Sequence, residues 1–183
     1  MTKALAAYPN DRSLRINQAL LYGENGQPDL AAQSLRALLT RSPADLELQI
    51  NVAQVYLQNR RYAEAEDAIH SAEALANDSE DKETTDFLRA SLYERQQKFD
   101  LAERAFKGVL AVNPRHSGAL NYYGYMLAEQ GVRLDEAVSL IGRALAEDPS
   151  NASYLDSMGW ARFKQDRLQE AEEYLRKAVS RNS

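Results

Sequence analysis

The stretch that decides the fold is Leu120-Asn121-Tyr122-Tyr123-Gly124-Tyr125-Met126-Leu127, followed by Ala137, Ile141, Ala144 and Pro149. Its first half is apolar on more than one side, the mark of a helix packed all round. Its second half carries apolar residues at helical spacing and reads as an amphipathic helix. Between them lies a break at Gln130–Arg133. Gly124 is the small residue near the middle of the first helix. A paired helix approaches closely only where side chains are small, so Gly124 marks a crossing, and the Ala in the second helix marks its opposite side.

Outward from this stretch the same plan recurs. Leu155-x2-Met158-Gly159 is followed by Ala171-x3-Leu175-x2-Ala178. Val52-Ala53-x2-Tyr56 is followed by Ala65-x3-Ile69-x2-Ala72. Three marker series run in one register. Ala31, Ala65, Ala102, Ala137 and Ala171 are spaced by 34, 37, 35 and 34 residues. Pro9, Pro43, Pro114 and Pro149 are spaced by 34, 71 and 35, with Asn77 filling the gap. The small series is Ala19, Ala53, Ala90, Gly124 and Gly159. Helix-interrupting breaks are expected at Glu24–Pro28, Asn59-Arg60-Arg61, Gln96–Lys98, Gln130–Arg133 and Gln165–Arg167. Proline follows the second helix because it cannot continue one. Asn10-Asp11 and Ser150-Asn151 sit where they can cap the next helix.

These residues resemble the tetratricopeptide repeat (TPR), a helix–turn–helix unit of 34 residues. The resemblance implies an all-α, right-handed superhelix of about five repeats. The units read as 12–45, 46–82, 83–116, 117–151 and 152–183, with 1–11 as the end of a preceding repeat. Arg15, Gln18, Asp86 and Arg89 depart from the pattern in the first and third units. Extra residues in Asn77–Glu83 predict a lengthened helix or a longer loop there. One extra residue in Gly131-Val132-Arg133 accounts for a 35-residue step. Both ends look cut. We therefore expect either a segment of a longer protein or an end covered by another copy.

Composition narrows the function. The 183 residues are 44% hydrophobic, with a net charge of −5 and no cysteine. Disulfides, thiolate catalysis and thiolate metal sites are thereby excluded. A mean hydropathy of −0.56 with no long apolar run gives no membrane-crossing helix. The acidic balance argues against a nucleic-acid partner, which requires a concentrated basic face. The only histidines are His70 and His116, and Glu66 four residues before His70 is too little for a metal site. No Gly-rich phosphate loop occurs. The expectation is no catalytic residues, no metal and no cofactor. Carboxylates such as Glu172 and Glu173 read as a solvated face with Arg176 and Lys177 four residues on.

The TPR resemblance implies that first helices line a concave groove where a partner protein or peptide binds. On that reading the groove residues are Ile50, Leu57, Phe87, Asn121, Tyr122, Tyr125, Asp156, Trp160 and Phe163, with an aromatic floor in the C-terminal half. Tyr22, Tyr56 and Tyr93 read as core. The carboxylate clamp of chaperone-binding TPR domains requires cations that are absent; only Asn51 fits it. Leu168, Ala171, Leu175 and Val179 form an apolar stripe suited to self-association, the alternative function. A regulatory segment of a larger enzyme or envelope lipoprotein is a further alternative. The C-terminal stretch also resembles bacterial TPR proteins, some of them envelope adaptors. The compartment, cytoplasm or periplasm, is left open.

Overall fold

The computed structural model describes Tyr8, residues 11–42 and residues 44–181. Pro9, Pro43 and most of the 1–11 stub lie outside the described residues. Among the described residues the chain forms ten α-helices and no strand. They are α1 (Arg12–Glu24), α2 (Pro28–Leu39), α3 (Leu46–Gln58), α4 (Tyr62–Leu75), α5 (Ser79–Arg95), α6 (Phe99–Val112), α7 (Ser117–Gln130), α8 (Leu134–Glu147), α9 (Ala152–Lys164) and α10 (Leu168–Arg181). Each expected break separates an odd-numbered helix from the next even-numbered one. The chain divides into two compact units, residues 1–97 and 98–183.

Every odd-numbered helix begins with a side-chain cap. Asp11, Asp45 and Asp78 accept from the backbone N–H of Leu14 (2.9 Å), Leu48 (3.1 Å) and Asp81 (2.8 Å). Asn151 accepts from Ser153 and Tyr154 at 3.1 and 3.3 Å. His116 does the same for α7, its Nδ1 accepting from Ala119 at 3.1 Å. Each such cap is worth about 1 kcal/mol, because it satisfies a donor that has no partner within the helix. Gln27, Arg61, Lys98 and Arg133, which precede α2, α4, α6 and α8, make no capping side-chain hydrogen bond among the described residues. Those helices begin directly out of a tight turn. A left-handed residue makes that turn: Gly26, Arg60, Gln97 and Asp166 have φ of 70°, 59°, 59° and 62°. The turn between α7 and α8 has two, Gly131 at 69° and Arg133 at 48°, which absorb its extra residue. The insertion at Asn77–Glu83 lengthens α5 to 17 residues, against 13 or 14 in the other odd-numbered helices.

In the N-terminal unit α1 packs on α2, and α3 on α4. The α3 helix also lies against α1 and α2, and α5 lies against α3 and α4. Leu35, Leu48, Val55, Tyr56 and Ile69 are fully buried there, with Tyr22 packed against them. The departure at Arg89 has a physical reason. Its guanidinium forks onto Glu73 of α4, Nε to Oε1 at 2.9 Å and Nη2 to Oε2 at 2.7 Å. A half-buried bidentate ion pair thus replaces an apolar contact between helix pairs.

In the C-terminal unit α7 packs on α8 and α9 on α10, while α9 also lies against α7 and α8, and α6 against α7. Gly124 and Gly159 are the crossing points. A Cβ at Gly124 would come 2.7 Å from Ile141 and 2.9 Å from the Ala137 carbonyl oxygen. At Gly159 it would come 2.7 Å from Leu175 and 3.2 Å from the Ala171 carbonyl oxygen. The small series and the Ala series therefore meet across each of these helix pairs.

Candidate functional site

The C-terminal unit presents the residues with the most binding chemistry. Asn121, Tyr122 and Tyr125 come from α7; Asp156, Trp160 and Phe163 come from α9. The two helices lie against each other. Asn121 is only 6% exposed, and its Oδ1 has no hydrogen-bond partner among the described residues. Trp160 is half-buried, and its Nε1 is likewise buried without a partner. Buried polar atoms in native proteins are nearly all paired, with protein groups or with ordered water. Asn Oδ1 is an acceptor and Trp Nε1–H a donor.

Aromatic rings surround these groups. Trp160 stacks on Phe163 with centroids 5.4 Å apart, and Lys164 Nζ lies 5.1 Å from the Trp160 ring centre. Lys164 also donates to the Glu129 carbonyl at 3.1 Å, tying the end of α9 to α7. Tyr154 Oη and Ser117 Oγ join the opposite ends at 3.1 Å. Tyr122 is half-buried against Phe106 of α6, centroids 6.5 Å apart. Tyr125 is half-buried and Asp156 exposed.

Several residues stand elsewhere than the repeat register implied. Leu57 is 4% exposed and belongs to the core cluster of the N-terminal unit, so it offers a groove almost no surface. Ile50 packs against the same core, and Phe87 is half-buried on α5. Ala171 is 3% exposed and lies at the base of the cleft that Leu168, Leu175 and Val179 also line. Phe163 is half exposed and turns toward α10, where it lines a cleft with Leu168, Leu175 and Val179. The aromatic floor and the apolar stripe are thus joined through the Trp160–Phe163 stack. Glu172 and Arg176 also line that cleft. Their spacing of four, which supports the helix itself, also sets both beside Leu175.

An ionic cluster braces α7 from behind. Arg133 Nη2 sits 2.5 Å and Lys107 Nζ 2.6 Å from the Glu103 carboxylate, and Tyr123 Oη donates to it at 3.1 Å. The hydrogen bond from Arg133, then that from Lys107, holds the Glu103 carboxyl down at about 2. A carboxyl held below its ordinary value adds stability that is complete above that value and is lost as pH falls through the folded one. We expect the loss between about pH 4.5 and about 2. In urea titrations Glu103→Gln is less stable than the parent at pH 7, and the gap closes near pH 2. An equal gap at both pH values would contradict this assignment.

Among the described residues no group of three or more His, Asp or Glu is placed to hold a metal ion, and no helix is long and apolar enough to cross a membrane.

Stacked helix pairs with a glycine or alanine crossing at a period near 34 residues have a counterpart among known proteins. The sequence profile of the tetratricopeptide repeat matches residues 16–80, 87–152 and 133–183. The chain belongs to the tetratricopeptide repeat family. A TPR repeat-containing protein of Pseudomonas aeruginosa, PA4667, is 34% identical over 169 residues, 92% of this chain. The chain spans 28% of that relative's length. A TPR protein of Parabacteroides merdae superposes with a TM-score of 0.83 at 21% identity, covering 100% of this chain and 70% of the other. YrrB, described as a TPR protein with an unusual peptide-binding site, gives 0.55 at 22% identity over 98% of this chain and 91% of its own. These likenesses establish a helical-repeat solenoid of the TPR class.

Proposed function

We propose that this TPR segment is a non-catalytic binding module that holds an extended peptide or a helix of a partner protein on the face formed by α7 and α9. The observation that carries the reading is the aromatic cluster on two neighbouring helices, with Tyr122, Tyr125 and Trp160 half-buried and Phe163 half exposed. Tyr122, Tyr125 and the Trp160–Phe163 stack supply rigid apolar area, the residue types that dominate binding energy at protein interfaces. Asp156 adds a rim charge that favours a cationic side chain on the ligand. The peptide-binding site named for YrrB supports the same use of the fold.

The test is selection of peptides from a displayed random library against the whole chain, followed by titration of the selected peptides. Trp160 is the sole tryptophan, so its emission reports occupancy directly. Tyr125→Ala and Trp160→Phe each weaken binding on the order of tenfold, by removing aromatic contact area. Trp160→Ala, read by calorimetry, weakens it more. Helicity stays at the parent level in Trp160→Phe. Selected peptides that bind all three variants as tightly as the parent would dismiss this face as the site.

A further inference from the structure

We propose that the segment bound on the face of α7 and α9 is basic: a lysine or arginine side chain lies against Asp156 while a neighbouring large apolar side chain lies on Tyr125 and Trp160. This inference rests on the peptide-binding reading and names the chemistry of its ligand. The two helices run parallel. Tyr154, near the start of α9, is joined to Ser117 at the start of α7, and Lys164 at the end of α9 to Glu129 near the end of α7. Asn121 and Asp156 therefore stand at one level, and Tyr125 and Trp160 one turn further along, about 6 Å. Residues four apart share a helix face, so Asp156 and Trp160 project to the same side of α9. Tyr125 and Glu129 share a side of α7 for the same reason. The face thus carries an acidic group beside an aromatic patch.

Charge selects the ligand. Asp156 and Glu129 are exposed, and neither carboxylate forms an ion pair among the described residues. Elsewhere in this unit Glu103, Glu136, Glu147, Glu170, Glu172 and Glu173 each meet an arginine or a lysine. Lys164, four residues after Trp160, is already engaged within the chain. Its Nζ donates to the Glu129 carbonyl at 3.1 Å and lies 5.1 Å from the Trp160 ring centre. That contact also shows that the indole face accepts a cation. An acidic ligand would meet two carboxylates and a lysine committed to its own helix pair. A basic ligand meets unpaired negative charge one helical turn from the rings that hold its apolar neighbour. Complementary charge of this kind selects among partners and steers their approach.

The test is selection from a displayed random-peptide library on the parent chain and, in parallel, on Asp156→Lys. Peptides selected on the parent are expected to be enriched in lysine and arginine, and those selected on Asp156→Lys in aspartate and glutamate. A parent-selected peptide is then titrated by Trp160 emission in a double-mutant cycle. Asp156→Asn weakens binding about three- to fivefold, and replacing one basic residue of the peptide by glutamine does the same. The two changes together cost no more than either alone, because they remove one shared contact. Asp156→Lys weakens the same peptide on the order of tenfold. Asp156 is exposed, and circular dichroism checks that both variants remain folded. Selected peptides that shift Trp160 emission yet are neutral or acidic would overturn the basic ligand and leave the binding face standing. So would a cycle in which every basic residue of the peptide and Asp156 contribute independently. Peptides that bind without changing Trp160 emission, or a library that yields no binder, would remove both readings.

Discussion

Phe106→Ala lowers the unfolding free energy by about 3–5 kcal/mol, the range for deleting a fully buried aromatic ring. Phe106 has no exposed surface. Its ring stacks with that of Tyr123 at 6.2 Å and tilts against that of Tyr122 at 6.5 Å. It is the residue of α6 whose ring meets both tyrosines of α7. Removing the ring leaves a void beneath both tyrosines as well as the loss of transferred area. Phe106→Leu keeps most of the volume and loses less than half as much. Urea unfolding followed by circular dichroism gives both values. Because Tyr122 stands on the proposed binding face, Phe106→Ala also weakens peptide capture more than Phe106→Leu does. Equal unfolding free energies for the alanine and leucine variants would show that the ring does not fill the site.

Gly124→Ala destabilises by about 2 kcal/mol through overpacking, although alanine is the better helix former. The new methyl would lie 2.7 Å from Ile141 Cγ1, 2.9 Å from the Ala137 carbonyl oxygen and 3.2 Å from Leu140 Cβ. Ile141 is fully buried and cannot swing away, and the carbonyl belongs to the α8 backbone, so α7 and α8 must separate. Gly159→Ala meets Leu175 at a similar distance, but Leu175 is partly exposed and has room to turn, so the cost is smaller. Gly108→Ala is the control. Nothing lies within 4 Å of a Cβ there, and the residue is inside α6. That substitution is expected to stabilise by about 1 kcal/mol. The opposite signs at Gly124 and Gly108 separate a packing requirement from helix propensity; the same sign at both would refute the close crossing.

Much of this architecture is legible along the chain because its causes are local. Helix periodicity, the breaks and the small residue near mid-helix are each set by a few consecutive residues. The caps are only partly legible. Asp11 and Asn151 are recognisable by residue type, whereas His116 is an uncommon cap and shows itself only once its Nδ1 is seen to accept from Ala119. Arg89 reads as a departure from the repeat until Glu73 is found opposite it. Leu57 occupies a groove position by register and is nevertheless enclosed by its own unit's core.

The sequence by itself determined that this chain is a run of TPR helix pairs and where the break within each pair falls. Those properties depend on spacing within a helix and on residue size at the crossing. Only the tertiary structure decided which equivalent positions are covered. Ile141 and Leu175 hold the same place in successive repeats, yet one is fully buried and the other is open at the cleft. Burial depends on the helix that lies alongside, and no residue within a repeat encodes that. The unpartnered atoms of Asn121 and Trp160 are of the same kind, since a side chain is left without a hydrogen bond by what surrounds it in space.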